Sequence, residues 1–183
     1  MTKRCLWQHS CPSWLPSPLS DIEWEIGSGI LHTRDRLFRW RVVNAPRCAY
    51  CPADETSDHV MMSSYIARQL WARVSRTFEL RVPVQYERER PGSGSQARWR
   101  TLLTTLGHHV LWKARCRAVH SSTPSAPVNI LLHALCTRLR VFPEDELAAL
   151  GETAFEATWC YRNLLRIRLG RLEMRGARLV DFR

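Results

Sequence analysis

The sequence predicts a mainly α protein of about five helices, with a small Cys/His zinc-knuckle-like turn between the first two. Three observations predict it. Apolar residues recur at steps of three and four through 64–78, 98–119 and 128–141, the period of a helix with one buried face. The clusters of Pro, Gly and Ser fall between these stretches. Apolar residues make up 45% of the 183, enough to build a core and to exclude wholesale disorder. On this reading 1–29 is a loose Pro/Ser/Trp-rich segment, 30–82 the knuckle-like helical region, 83–97 a linker and 98–183 a helical, basic C-terminal region.

The elements follow in order. "DIEWEI" (21–26) alternates and reads as a short strand broken by "GSG". "LHTRDRLFRWRVV" (31–43) reads as a helix capped by Thr33, with Leu37, Trp40 and Val43 on one side. "SYIARQLWARVSRTF" (64–78) puts Ile66, Leu70, Trp71, Val74 and Phe78 on one face. Helical spacing resumes over 98–119 through Trp99, Leu102, Leu103, Leu106, Val110 and Leu111, with Gly107 a candidate kink. A further helix spans 128–141. Pro143 followed by Glu144, Asp145 and Glu146 has the chemistry of a helix start, because Pro fits the first turn and acids suit the positive end of the dipole. That last helix is expected to run to about Arg175.

The formal net charge of +10 favours polyanionic partners, nucleic acid before an acidic membrane surface. Only Lys3 and Lys113 are lysines, so the basic residues are almost all arginine, which suits forked contacts to phosphate. GC-rich coding would raise arginine equally. The seven cysteines (5, 11, 48, 51, 116, 136, 160) are odd in number, and no secretory signal or membrane-length apolar run accompanies them. An intracellular setting, nuclear or cytoplasmic and not secreted, follows as the expectation. There, close Cys/His spacing means metal more often than disulfide.

Cys48, Cys51 and His59 have that spacing. Cys-x2-Cys offers two thiolates from a tight hairpin and a His on the following turn supplies a third ligand, which makes Zn²⁺ the expected cofactor. Where a fourth ligand would fall stands Ser64, a poor zinc ligand. Three outcomes are open: weak zinc with water in the fourth place, a remote thiol such as Cys11 or Cys116 completing the site, or a dead site in a fold held by its helices. Cys5, His9 and Cys11 make a second cluster conceivable, without a fourth ligand or suitable spacing. Catalysis by a three-ligand zinc would need a general base in a pocket, and the carboxylates between Cys51 and His59 are Asp54, Glu55 and Asp58. His108 and His109 are expected on a helix surface, and Cys116, Cys136 and Cys160 as small buried hydrophobes.

The stretch "ILHTRDRLFRW…RCAYCPADETSDHVMMSSYIARQLW" resembles the zinc-binding segment that follows the polymerase in non-LTR (LINE-type) retrotransposon reverse transcriptases. The family pattern is a "TrdRL.RW" helix, Cys-x2-Cys, an acidic "ET..H" turn, a last Cys four residues on, and a helix with "ar.lW". It is matched here by Thr33, Asp35, Arg36, Leu37, Trp40, Cys48, Cys51, Glu55, Thr56, His59, Ala67, Arg68 and Trp71. "VLWKARCRAV" (110–119) looks like the helix that often follows. The departure is Ser64 in place of the last Cys.

The resemblance implies a non-catalytic piece of a large polyprotein that holds RNA or target DNA beside a polymerase region of the same element. Polymerases hold two Mg²⁺ with closely placed carboxylates, and no two aspartates here are neighbours. Two arginine sets are candidates for phosphate: Arg34, Arg36, Arg39, Arg41 and Arg47 beside the knuckle, and Arg168, Arg171, Arg175 and Arg178 as a stripe on the expected last helix. Trp7, Trp14 and Tyr50 are the candidate stacking aromatics, with Trp40, Trp71, Trp99 and Trp159 expected in the core. The alternative is a helical protein-interaction module, or the relic of a decayed element, binding neither metal nor nucleic acid.

Overall fold

The computed structural model describes residues 12–82, 94–121, 127–162, 164–168 and 171–174. Among these the chain is mainly α: six α-helices, one π-helical turn and a short hairpin. The first helix, α1 (Ser17–Gly27), replaces the strand expected at 21–26. Pro16 and Pro18 fix the backbone at its first turn, and Leu19, Ile22 and Ile26 then follow a helical period that the brief alternation of "DIEWEI" conceals.

Helix α2 (Arg34–Arg39) is shorter than the expected 31–43. Arg41 takes a left-handed conformation (φ 60°), and the amides of Arg41 and Val42 turn back onto the carbonyls of Phe38 and Leu37, which closes the helix. The turn carries Trp40 outward, so it is half-exposed instead of joining the core. The knuckle therefore lies between the second and third helices.

Helix α3 (Tyr65–Phe78) buries Ile66, Leu70, Trp71, Val74 and Phe78 as expected; Ser64, expected as its first residue, is its N-cap. Helix α4 (Ser95–His120) is the central element and packs against α1, α3, the π-turn and the two helices that follow it. Every residue from Thr101 to His108 is buried, so this stretch has no solvent face. It runs through Gly107 as one helix. Glycine is there for a close approach: a Cβ on Gly107 would overlap the six-membered ring of Trp71. Trp71 is held in turn by its indole N–H, which donates to the Met61 carbonyl at 2.7 Å.

Helix α5 (Val128–Leu150) continues through Pro143, where a new helix was expected. Local chemistry alone makes Pro143 look like a first-turn residue, and a proline inside a helix costs about 3 kcal/mol. Packing overrides that preference here. Phe142 and Pro143 are both buried, and Phe142 belongs to an aromatic cluster with Trp14, Trp99 and Trp159 whose rings lie 5.3–6.1 Å apart. Trp14, a candidate for base stacking, is thus committed to this cluster. Gly151 (φ 75°) separates α5 from α6 (Glu152–Trp159), whose last carbonyl accepts the Trp99 indole N–H at 2.7 Å.

The helix expected to reach Arg175 ends at Trp159. The chain then forms an antiparallel hairpin, β1 (Leu165–Arg168) with β2 (Arg171–Met174). "LRIR" and "RLEM" each alternate apolar and polar residues with period two, which suits a strand better than a helix. Leu165 is buried, while Arg166 is exposed and pairs with Glu173 at 2.8 Å. Arg168 and Arg171 are cross-strand partners, not neighbours on a helical stripe; Arg175 and Arg178 lie outside the described residues.

His108 is also not a surface residue. It is buried, with Nδ1 2.7 Å from a Glu23 carboxylate oxygen that is buried too, and so ties α4 to α1. His109 is half-buried; burial lowers its pKa, and the nearby charges of Arg138 and Lys113 lower it further. Among the described residues no helix is long and apolar enough to cross a membrane.

Candidate metal centre

After α2 the chain makes a small hairpin. Arg47 and Asp54 form an antiparallel bridge, the Cys48 amide donates to the Ala53 carbonyl at 2.8 Å, and the Glu55 amide donates to the Pro46 carbonyl at 2.7 Å. The tip carries Cys48 and Cys51. The Tyr50 amide turns inward and donates to Cys48 Sγ at 3.4 Å, a bond that favours the thiolate form. Tyr50 is therefore half-buried in the knuckle, its hydroxyl oxygen enclosed, and is not an open stacking surface.

The third ligand arrives on a tight turn. Thr56 Oγ1 accepts the His59 amide at 3.0 Å and so caps the turn. The π-helical turn His59–Ser63 then closes with the Ser64 amide on the His59 carbonyl at 2.7 Å. This wide turn aims the imidazole at the hairpin. His59 Nε2 lies 3.2 Å from Cys51 Sγ, and Nδ1 lies 3.3 Å from Ser63 Oγ.

Cys48, Cys51 and His59 present two sulfurs and one nitrogen, all within 4.8 Å of one another. Tetrahedral zinc, with Zn–S of about 2.3 Å and Zn–N of about 2.0–2.1 Å, holds its ligand atoms about 3.5–3.8 Å apart. The donor set and its span are thus compatible with Zn²⁺ as an incomplete, three-residue site. Ser63 is placed to orient the imidazole through Nδ1, leaving Nε2 for the ion. Burial pushes the Cys48 thiol above its ordinary pKa, the Tyr50 amide opposes this, and the neighbouring Cys51 adds to it. A metal ion would have to displace that proton.

Ser64 does not supply the fourth ligand. It is fully buried, and its hydroxyl donates to the Val60 carbonyl at 3.4 Å and accepts the Ala67 amide at 3.3 Å. Both hydrogen-bonding directions serve the start of α3. Cys116, one candidate remote thiol, is a free cysteine outside the cluster. Cys11, together with the Cys5/His9/Cys11 grouping, lies outside the described residues.

The frame that holds the ligands rests on two residues without an evident role in the sequence. Glu55 is completely buried. Its Oε1 accepts from Arg115 Nη2 at 2.6 Å, from Arg115 Nε at 3.0 Å and from the Arg34 amide at 2.9 Å. The Asp35 amide adds a bond to the Glu55 carbonyl at 3.2 Å. One carboxylate therefore caps α2, fixes the end of the knuckle hairpin and anchors both to α4. Thr33 stands at the N-cap position of α2 as expected, but its hydroxyl makes no capping bond and donates to Asp35 at 2.5 Å. Arg115 is itself buried and lies over the Trp112 ring, 4.8 Å from its centroid. The signals were the "ET" of the knuckle and the "WKARCRAV" of α4, but nothing in a linear chain joins positions sixty residues apart.

The first arginine set adjoins this frame. Arg39 is exposed and pairs with Asp35 at 2.9 Å. Arg41 is exposed, and Arg36 lies over the Trp40 ring at 4.6 Å. Arg34 is half-buried. Arg47 bonds the Pro52 carbonyl and faces Asp54 at 3.8 Å, so it helps to close the hairpin while remaining largely open to solvent.

Residues 2–71 match the family model described as zinc-binding in reverse transcriptase. The match ends at Trp71, on α3, and so includes α1, α2, the hairpin and the π-turn; it is to a zinc-binding segment and not to a polymerase. No curated protein and no solved structure matches the chain.

Proposed function

We propose that this chain is a non-catalytic nucleic-acid-holding module of a retrotransposon reverse transcriptase, with Cys48, Cys51 and His59 as zinc ligands and the arginines of α2 and the knuckle as its phosphate contacts. The observation that carries this reading is the shared frame. Glu55, four residues beyond Cys51, also binds the amide that begins α2, so the ligands and Arg34, Arg36, Arg39 and Arg41 are held as one piece. Zinc would supply a cross-link between the hairpin and the π-turn; two thiolates would neutralise its charge, so the positive charge offered to phosphate is that of the arginines. The protein's own part is to set the ligand geometry and present guanidinium groups at fixed spacing. RNA or DNA is the partner class, and a polymerase region of the same element is the natural neighbour in cis. The free thiols of the described residues suit a reducing, intracellular setting.

Titration of RNA and DNA binding against salt tests this reading. Log affinity is expected to fall linearly with log salt, with a slope of about 0.7–0.9 per phosphate contacted. Removing Arg39 and Arg41 together should make the slope shallower. Affinity that ignores salt would contradict arginine–phosphate binding.

A further inference from the structure

The turn that ends α2 exposes three apolar side chains in succession along a run of arginines. Phe38 is 45% exposed, Trp40 50% and Val42 66%, with Arg39 and Arg41 exposed between them. By contrast Trp71, Trp99 and Trp159 are almost wholly enclosed. The helical period would have placed Trp40 inside, and the left-handed Arg41 places it outside. Residues two apart on a helical turn do not face each other, so Trp40 and Phe38 present separate surfaces, of which the indole is the larger.

The ring of Trp40 is also held in place. The Arg36 guanidinium sits over it at 4.6 Å, and the His32 ring meets it at 5.8 Å with a 63° tilt. A fixed indole backed by a cation and flanked by further cations has two complementary chemistries in one place. The π-face takes another flat ring, and the guanidiniums take phosphate. In a duplex the bases are stacked on each other and only edges and phosphates are offered. An unpaired strand offers both base faces and phosphates.

We propose that Trp40 forms a stacking platform for an unpaired base, which makes the module a single-strand binder. This rests on the arginine–phosphate reading above and adds to it the form of nucleic acid recognised. Arginines set the salt dependence, and the indole sets the preference for single strands.

The test compares the full chain with Trp40→Ala and Trp40→Phe variants. Each is titrated against labelled oligouridine, oligothymidine and a duplex of equal length, across a salt series. The expected result is tighter wild-type binding to the single strands. Trp40→Ala should weaken single-strand binding about tenfold, within the range for loss of one stacked base, with the duplex affinity and the salt slope unchanged. Trp40→Phe should recover most of the loss, which also controls for misfolding. If Trp40→Ala leaves single-strand affinity intact, weakens both forms equally, or if the wild type prefers duplex, the platform is wrong while salt-dependent arginine binding stands. If the wild type shows no salt-dependent binding to any probe, both readings fall. Sedimentation at raised concentration covers the remaining occupant: self-association abolished by Trp40→Ala would assign the patch to a second copy of the chain and overturn the proposal.

Discussion

Glu55→Ala is expected to destabilise the fold by about 3–5 kcal/mol, the range for removing one partner of a buried ion pair. The reason is what remains behind. Arg115 has 3% of its side chain exposed, and its Nε and Nη2 both donate to Glu55 Oε1, so the substitution strands a charge away from water. The Arg34 amide at the start of α2 loses its acceptor as well. Among the described residues Glu55 Oε2 has no hydrogen-bond partner, so there the pair is imperfectly satisfied. Replacing both residues together with apolar side chains, Glu55→Leu with Arg115→Met, should therefore cost less than Glu55→Ala alone. Urea denaturation of the two singles and the double measures this coupling. Additive losses would show that the pair does not hold the knuckle to α4.

Gly107→Ala should be the most damaging single methyl group that can be added to the core. Its Cβ would sit within the Trp71 ring, and the ring cannot retreat without breaking its bond to the Met61 carbonyl. Overpacking of this kind costs about 1–3 kcal/mol. A smaller side chain at position 71 should relieve it, so Gly107→Ala combined with Trp71→Leu should lose less than the two changes summed. Thermal unfolding of the four proteins in the cycle is the measurement. A Gly107→Ala variant as stable as the wild type would mean that α3 and α4 are not packed this closely.

These two sites show how far sequence could be read. Helix α3 was legible in its buried face, because a strong apolar period runs through 66–78; that Ser64 caps the helix and does not open it shows only in the structure. The ligand cluster was legible because two cysteines and a histidine at that spacing can converge without help from the rest of the chain. The partners of Glu55 and Gly107 were not, since Arg115 and Trp71 are fixed by packing between helices and leave no local pattern. Gly107 has the same local signature whether it kinks a helix or admits a neighbouring ring.

The errors were of the same kind. Pro143 and the acids after it have the chemistry of a helix start, and only burial of Phe142 and Pro143 beside Trp14 and Trp159 carries α5 past them. The arginines from 168 onward have helical spacing, yet "LRIR" and "RLEM" satisfy a two-residue period at the same time. Trp40 lies at an apolar position of a helix that a single left-handed residue ends too early for it to be buried.

The account depends first on the three side chains acting as a metal site. Zinc content of the purified full chain, measured beside Cys51→Ser and Ser64→Ala, tests this most directly. The account predicts one zinc ion per chain in the wild type, its loss in Cys51→Ser, and its retention in Ser64→Ala, whose hydroxyl is engaged at the start of α3. A wild-type chain without zinc, or a Cys51→Ser chain that keeps as much as the wild type, would contradict it.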